Sequence, residues 1–89
     1  MTIIKKKIYE IADVKDHTGH RKPERIGRRV LIERLEQDHS AWLPYENSTQ
    51  CLVTSPVLSF QEVATGDIFI STENSIYHLM PVRTEQEYL

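Results

Sequence analysis

The stretch Asp13-Val14-Lys15-Asp16-His17-Thr18-Gly19-His20-Arg21-Lys22-Pro23-Glu24-Arg25 gathers most of the side chains in this chain that can do chemistry. His17 and His20, together with Asp13 or Asp16, offer imidazole and carboxylate donors to a metal ion. A structural zinc site takes four ligands and commonly uses cysteine. The one cysteine, Cys51, is far away in sequence, and a His-x-x-His pair by itself more often belongs to a solvated loop. No metal and no other cofactor is therefore expected.

The same segment is basic. Arg21, Lys22, Arg25, Arg28 and Arg29 lie close together, with Lys5, Lys6 and Lys7 upstream. Clustered cations neutralise phosphates and give salt-dependent binding to nucleic acid. Binding of single strands also calls for aromatic stacking platforms, for which Tyr9, Trp42 and Tyr45 are candidates. Trp42-Leu43-Pro44-Tyr45 could equally line a groove for an extended peptide, or Trp42 could be a core residue. Against a nucleic-acid surface stand the net charge of −2 and the sequence pI near 6.0. Lysines and arginines on strand edges also have a plainer use, blocking sheet-to-sheet aggregation.

Catalysis is not expected. Cys51 falls in a predicted strand with no activating base in view, and Ser55, before Pro56, reads as a turn residue. With three glycines in all, there is no glycine-rich phosphate loop.

These residues must be held by short strands. Apolar runs alternate with polar turn clusters along the whole chain, the pattern of an all-β domain. The first run spans Thr2 to Ala12, and a long polar loop, free to move, follows over residues 13–27. Arg28 to Glu36 is expected to be a strand. The alternative, a helix over Arg25 to Gln37, would place Gly27 inside it and use a β-branched core. Further strands are expected at Ala41 to Tyr45, Gln50 to Thr54 and Val57 to Ala64, with Ser55-Pro56 stopping one and releasing the next. About six to seven short strands at this size predict an SH3-like or OB-like barrel, or a strongly curved antiparallel sheet.

The last strands can be registered by parity. A two-residue turn at Glu73-Asn74 sets Ile70 opposite Tyr77 and Ile68 opposite Leu79, and opposed residues share a face. That face is wholly apolar. Asn74 suits the positive φ that such turns use. The other face carries Phe69, Ile76, His78 and Met80, and something must cover them. The polar loop, the C-terminal Tyr88-Leu89 and a second molecule are the candidates.

Eighty-nine residues make one small domain, able to bury roughly 60–65% of the surface its unfolded chain exposes. The composition, 39% hydrophobic and 27% charged, is that of a globular protein, and no apolar run approaches a membrane span. Met1-Thr2-Ile3-Ile4-Lys5-Lys6-Lys7 puts the apolar pair before the charges, the reverse of a secretory leader, so the cytoplasm is the expected compartment. Charge is uneven. Residues 1–34 hold ten Lys/Arg against five Asp/Glu, a net of +5, and residues 35–89 hold one against eight, a net of −7. Such a split can steer an anionic partner or pair two copies, unless the fold interleaves the halves.

Thr54-Ser55-Pro56-Val57, followed by Thr72-Glu73-Asn74-Ser75-Ile76-Tyr77, resembles short all-β proteins of bacteria and their mobile elements. In those, a Thr-Ser-Pro-Val element precedes a final hairpin with a Thr-x-Asn-Ser-x-Tyr turn. The resemblance covers the chain from Thr54 on and implies a small β fold with no assigned activity. The expected role is therefore that of a non-enzymatic interaction or assembly module, self-associating through Phe69, Ile76, His78 and Met80. The alternative is a nucleic-acid-binding barrel that uses Arg21, Lys22, Arg25, Arg28 and Arg29.

Overall fold

The computed structural model describes residues 3–82, with side chains from Lys7 onward. The chain forms six antiparallel strands: β1 (Ile3–Lys15), β2 (Arg29–Leu35), β3 (Ser40–Pro44), β4 (Cys51–Glu62), β5 (Ile68–Thr72) and β6 (Ile76–Pro81). Each pairs with its neighbours in sequence, and β6 returns to β1, so the sheet closes into a barrel. One turn of 3-10 helix, Pro23–Arg25, lies between β1 and β2. No helix among the described residues is long and apolar enough to cross a membrane.

Alternation builds the core. Inward positions such as Val30, Ile32, Leu43, Ile68 and Ile70 are fully buried, and their neighbours along each strand face out. The final hairpin has the register expected from parity: Ile68 pairs with Leu79 and Ile70 with Tyr77, and all four are buried. Tyr9 and Tyr77 supply the bulkiest buried side chains, at 1% and 2% exposure. Arg29–Leu35 is a strand, as its β-branched core requires. Gly27 ends the preceding loop at φ +89, where its N–H reaches the Ile11 carbonyl at 2.8 Å and leads the chain into β2.

Two features differ from the sequence expectation. The first is that Ser55-Pro56 does not stop a strand. β4 runs through it for 12 residues and changes partner there. Cys51, Leu52, Val53 and Pro56 pair with β3, whereas Val57 to Glu62 pair with β5. Pro56 stands at the change-over, where the ladder donor it lacks is not needed. The second is the segment 13–27. Asp13 to Lys15 belong to β1, paired with β6. Residues 16–20 then make a tight turn closed by a bridge between Lys15 and Arg21. Asp16 holds that turn by accepting hydrogen bonds from the Thr18 and His20 backbone N–H groups and the Thr18 hydroxyl, at 2.9, 3.0 and 2.6 Å.

The tip of the last hairpin also has its own solution. Glu73 and Asn74 are the two turn residues, but neither has positive φ. The buried Thr72 hydroxyl closes the turn instead, accepting the Ser75 N–H at 3.0 Å and donating to the Ser75 carbonyl at 3.0 Å.

Candidate functional site

Because β4 pairs with β5 only from Val57 on, its first half has no strand among the described residues on the side away from β3. The gap is a polar cavity of about 160 Å³. One wall is β4, with Val53, Thr54 and Ser55; another is the hairpin tip, with Asn74, Ser75 and Tyr77. Lys22 and Arg25 close it from the 3-10 segment. Lys22 Nζ donates to Ser75 Oγ at 2.8 Å, and Arg25 Nη1 donates to the Tyr77 hydroxyl at 2.9 Å. Among the described residues no carboxylate lines the cavity.

The walls are tied together by hydroxyls. Ser55 Oγ donates to Thr72 Oγ1 at 2.8 Å and accepts the Asn74 N–H at 3.0 Å. The Glu73 N–H reaches the Pro56 carbonyl at 3.1 Å. From the other side His17 Nε2 donates to the Thr72 carbonyl at 2.6 Å, so the loop before Lys22 is fastened to the same tip. Thr54-Ser55-Pro56 and Thr72-Glu73-Asn74-Ser75 thus form one hydrogen-bonded unit, and Tyr77 opens from it into the cavity. Burial pushes the Tyr77 hydroxyl above its ordinary pKa, against the pull of the Arg25 guanidinium, so it remains a protonated donor at neutral pH.

The structure divides the five basic residues. Lys22 and Arg25 face the cavity, and Arg28 lies over the Tyr45 ring at 3.8 Å from its centroid. Arg21 is drawn to Asp13, Nε to Oδ1 at 3.7 Å, and Arg29 sits on the barrel wall opposite Glu10. The backbone of residues 5–7 lies toward the opposite end of β1, since Ile3 pairs with Leu35 while Glu10 pairs with Arg29. Of the aromatic candidates, Tyr9 is in the core and offers no platform. Tyr45 is half-buried under Arg28. Trp42 is 43% exposed on the outer wall, directly across the ladder from Val53 at the cavity rim.

Phe69, Ile76, His78 and Met80 do come together on the outside of β5 and β6. Phe69 pairs with His78, and their rings stack at 4.4 Å between centroids. His78 Nε2 is fixed by Asp67 Oδ2 at 2.7 Å. The second face of the hairpin is thus partly covered by its own histidine, leaving Phe69 at 41% and Met80 at 37% exposure. The 13–27 segment contributes Asp13, the neighbour of His78 across β1. Tyr88 and Leu89, the other candidate cover, lie outside the described residues.

Elsewhere the reactive side chains are engaged. His20 Nδ1 lies 2.8 Å from the Thr18 hydroxyl, and Ser55 serves the hairpin tip. Partial burial pushes the Cys51 thiol above its ordinary pKa, away from a nucleophilic thiolate. Among the described residues no group of three or more His, Cys, Asp or Glu is placed to hold a metal ion. The cavity itself escaped sequence reasoning, because its walls come from three segments that look unrelated until β4 is seen to change partner. No family model matches the chain, and no characterised protein or solved structure is significantly similar to it.

Proposed function

We propose that this barrel is a non-enzymatic, cytoplasmic binding module whose ligand is single-stranded nucleic acid, held at the end of the barrel that carries Lys22, Arg25 and Arg28. The observation that carries the reading is the convergence of Lys22 and Arg25 on a hydroxyl-lined cavity whose described walls hold no carboxylate. Cations placed without counter-ions in a cleft with low-dielectric walls raise the local concentration of anions. Among the described residues neither cation has a carboxylate partner. Arg28 on Tyr45 and the exposed Trp42 beside Val53 add the flat surfaces on which bases stack. The overall acidity of the chain opposes binding at long range, and the local arrangement favours it within about 10 Å, the reach of a charge at moderate salt.

Fluorescence anisotropy with a labelled single-stranded oligonucleotide tests this. Each neutralised phosphate contributes about −0.7 to the slope of log affinity against log salt, so three cations predict a slope near −2. Lys22→Gln with Arg25→Gln should flatten that slope by roughly 1.4. Binding indifferent to salt, or equal in the double variant, would remove the reading.

A second reading, self-association through Phe69, Ile76, His78 and Met80, draws on the exposure of Phe69 and Met80 on one outer face. It predicts a dimer in solution that Phe69→Ser or Ile76→Glu dissociates without unfolding.

A further inference from the structure

The cavity between Lys22, Arg25, Ser75 and Tyr77 has a charge and a shape more selective than a general basic surface. We infer that it is a seat for a phosphate monoester, so that the module prefers a strand carrying a terminal phosphate to one ending in a hydroxyl. This rests on the nucleic-acid reading for its natural ligand, and on the cavity alone for its phosphate chemistry.

Every polar group that the two cations touch there is a hydroxyl. Lys22 has three N–H donors and Arg25 five. One of each is spent, on Ser75 Oγ and on the Tyr77 hydroxyl. The rest of the donors stand beside two hydroxyl groups that can themselves donate. A carboxylate or phosphate oxygen is the natural acceptor for such a set, because charge-assisted hydrogen bonds are about twice as strong as neutral ones. Two positive charges match the two negative charges of a phosphate monoester near neutral pH. An internal phosphodiester brings only one and would leave the site half-compensated.

Size agrees. A water takes up roughly 30 Å³ in the liquid, so the cavity of about 160 Å³ accommodates about five waters. A phosphate group with part of its ester displaces several of these, while the base stays outside, toward Val53 and Trp42. The walls are fixed before any ligand arrives. Ser55 and Thr72 join hydroxyl to hydroxyl at 2.8 Å, and His17 fastens the loop to the Thr72 carbonyl at 2.6 Å. Donors held in place in this way need little reorganisation to receive an anion.

The test compares two oligonucleotides of one sequence on the wild-type protein, one with a 5′-phosphate and one with a 5′-hydroxyl, and repeats the pair with 3′-phosphorylated strands. At least one phosphorylated end should bind about tenfold more tightly than its hydroxyl counterpart. The gain should vanish in Lys22→Met with Arg25→Gln. Inorganic phosphate, followed by 31P line broadening, should bind the wild-type protein and not that double variant. Equal affinity for phosphorylated and hydroxyl ends, together with no broadening of inorganic phosphate, would overturn the inference while leaving salt-dependent strand binding intact. Broadening of inorganic phosphate without binding of any strand would instead sustain the phosphate seat and end the nucleic-acid reading, pointing to a free phosphate monoester as the ligand.

Discussion

Asp16 shows how a single exposed side chain shapes the approach to the cavity. The Thr18 hydroxyl, then the His20 backbone N–H, hold its carboxyl at about 2, down from 3.8. A folded pKa below the unfolded one means that this contribution to the turn is present above 3.8 and is lost as pH falls through about 2. Carbon-detected NMR titration of Asp16 should therefore find its midpoint near 2, and Thr18→Val should move it back toward 3.8. A native midpoint near 3.8 would show that the turn is not closed by this carboxylate. Residues of this kind were legible in the sequence only as polar loop. The same limit applied at Asn74, which was expected to supply a positive φ. The Thr72 side chain closes that turn with a hydrogen bond instead, and propensity alone does not reveal which of two local solutions a threonine and an asparagine will share.

Among the elements, β4 and the hairpin tip act as one device. Thr72 Oγ1 accepts from Ser55 Oγ and the Ser75 N–H and donates to the Ser75 carbonyl, all while the residue is fully buried. Thr72→Val keeps the shape and the Ser75 carbonyl keeps the Thr72 N–H, but the Ser75 N–H and the Ser55 hydroxyl each lose their acceptor, and an orphaned buried donor costs about 1–3 kcal/mol. Urea unfolding should show a loss of at least about 2 kcal/mol for Thr72→Val and a smaller one, about 1 kcal/mol, for Ser55→Ala, whose site water can enter. Equal losses would mean that the tip is held by its backbone rather than by these hydroxyls. The register of β5 and β6 was legible because side chains alternate with a period of two, so any two-residue turn at Glu73-Asn74 puts Ile70 and Tyr77 on one face. The continuity of β4 was not. Ser-Pro reads as an ending unless the strand is known to change partners there, and that depends on where β3 and β5 lie.

Across the whole molecule, closure decides which surfaces are left to act. β1 and β2 of the basic half are neighbours in the closed barrel and the acidic half supplies β3 to β6, so the charge split along the chain is not interleaved but divides the wall into two sectors that meet at the β1–β6 and β2–β3 seams. Closing β6 onto β1 also pairs strands that an open sheet would expose, which removes most of the opportunity for a second copy to add a strand. The outer patch around Phe69 is the self-association face that the sequence singles out. Its ring is already stacked on His78, and Ser71, Lys15 and Glu10 border it on neighbouring strands. A stable dimer buries about 800 Å² on each partner, far more than four partly covered side chains on one hairpin supply. The expected result of light scattering on a sizing column at physiological salt is therefore a monomer, whose mass Phe69→Ser leaves unchanged. Phe69→Ser should also cost about 1–2 kcal/mol of stability, because it removes a ring that is more than half buried and stacked on His78. A dimer that Phe69→Ser dissociates would transfer the function to this face. The cationic cavity, on the far side of the hairpin tip, would then have to be tested in the assembled dimer before any strand is assigned to it.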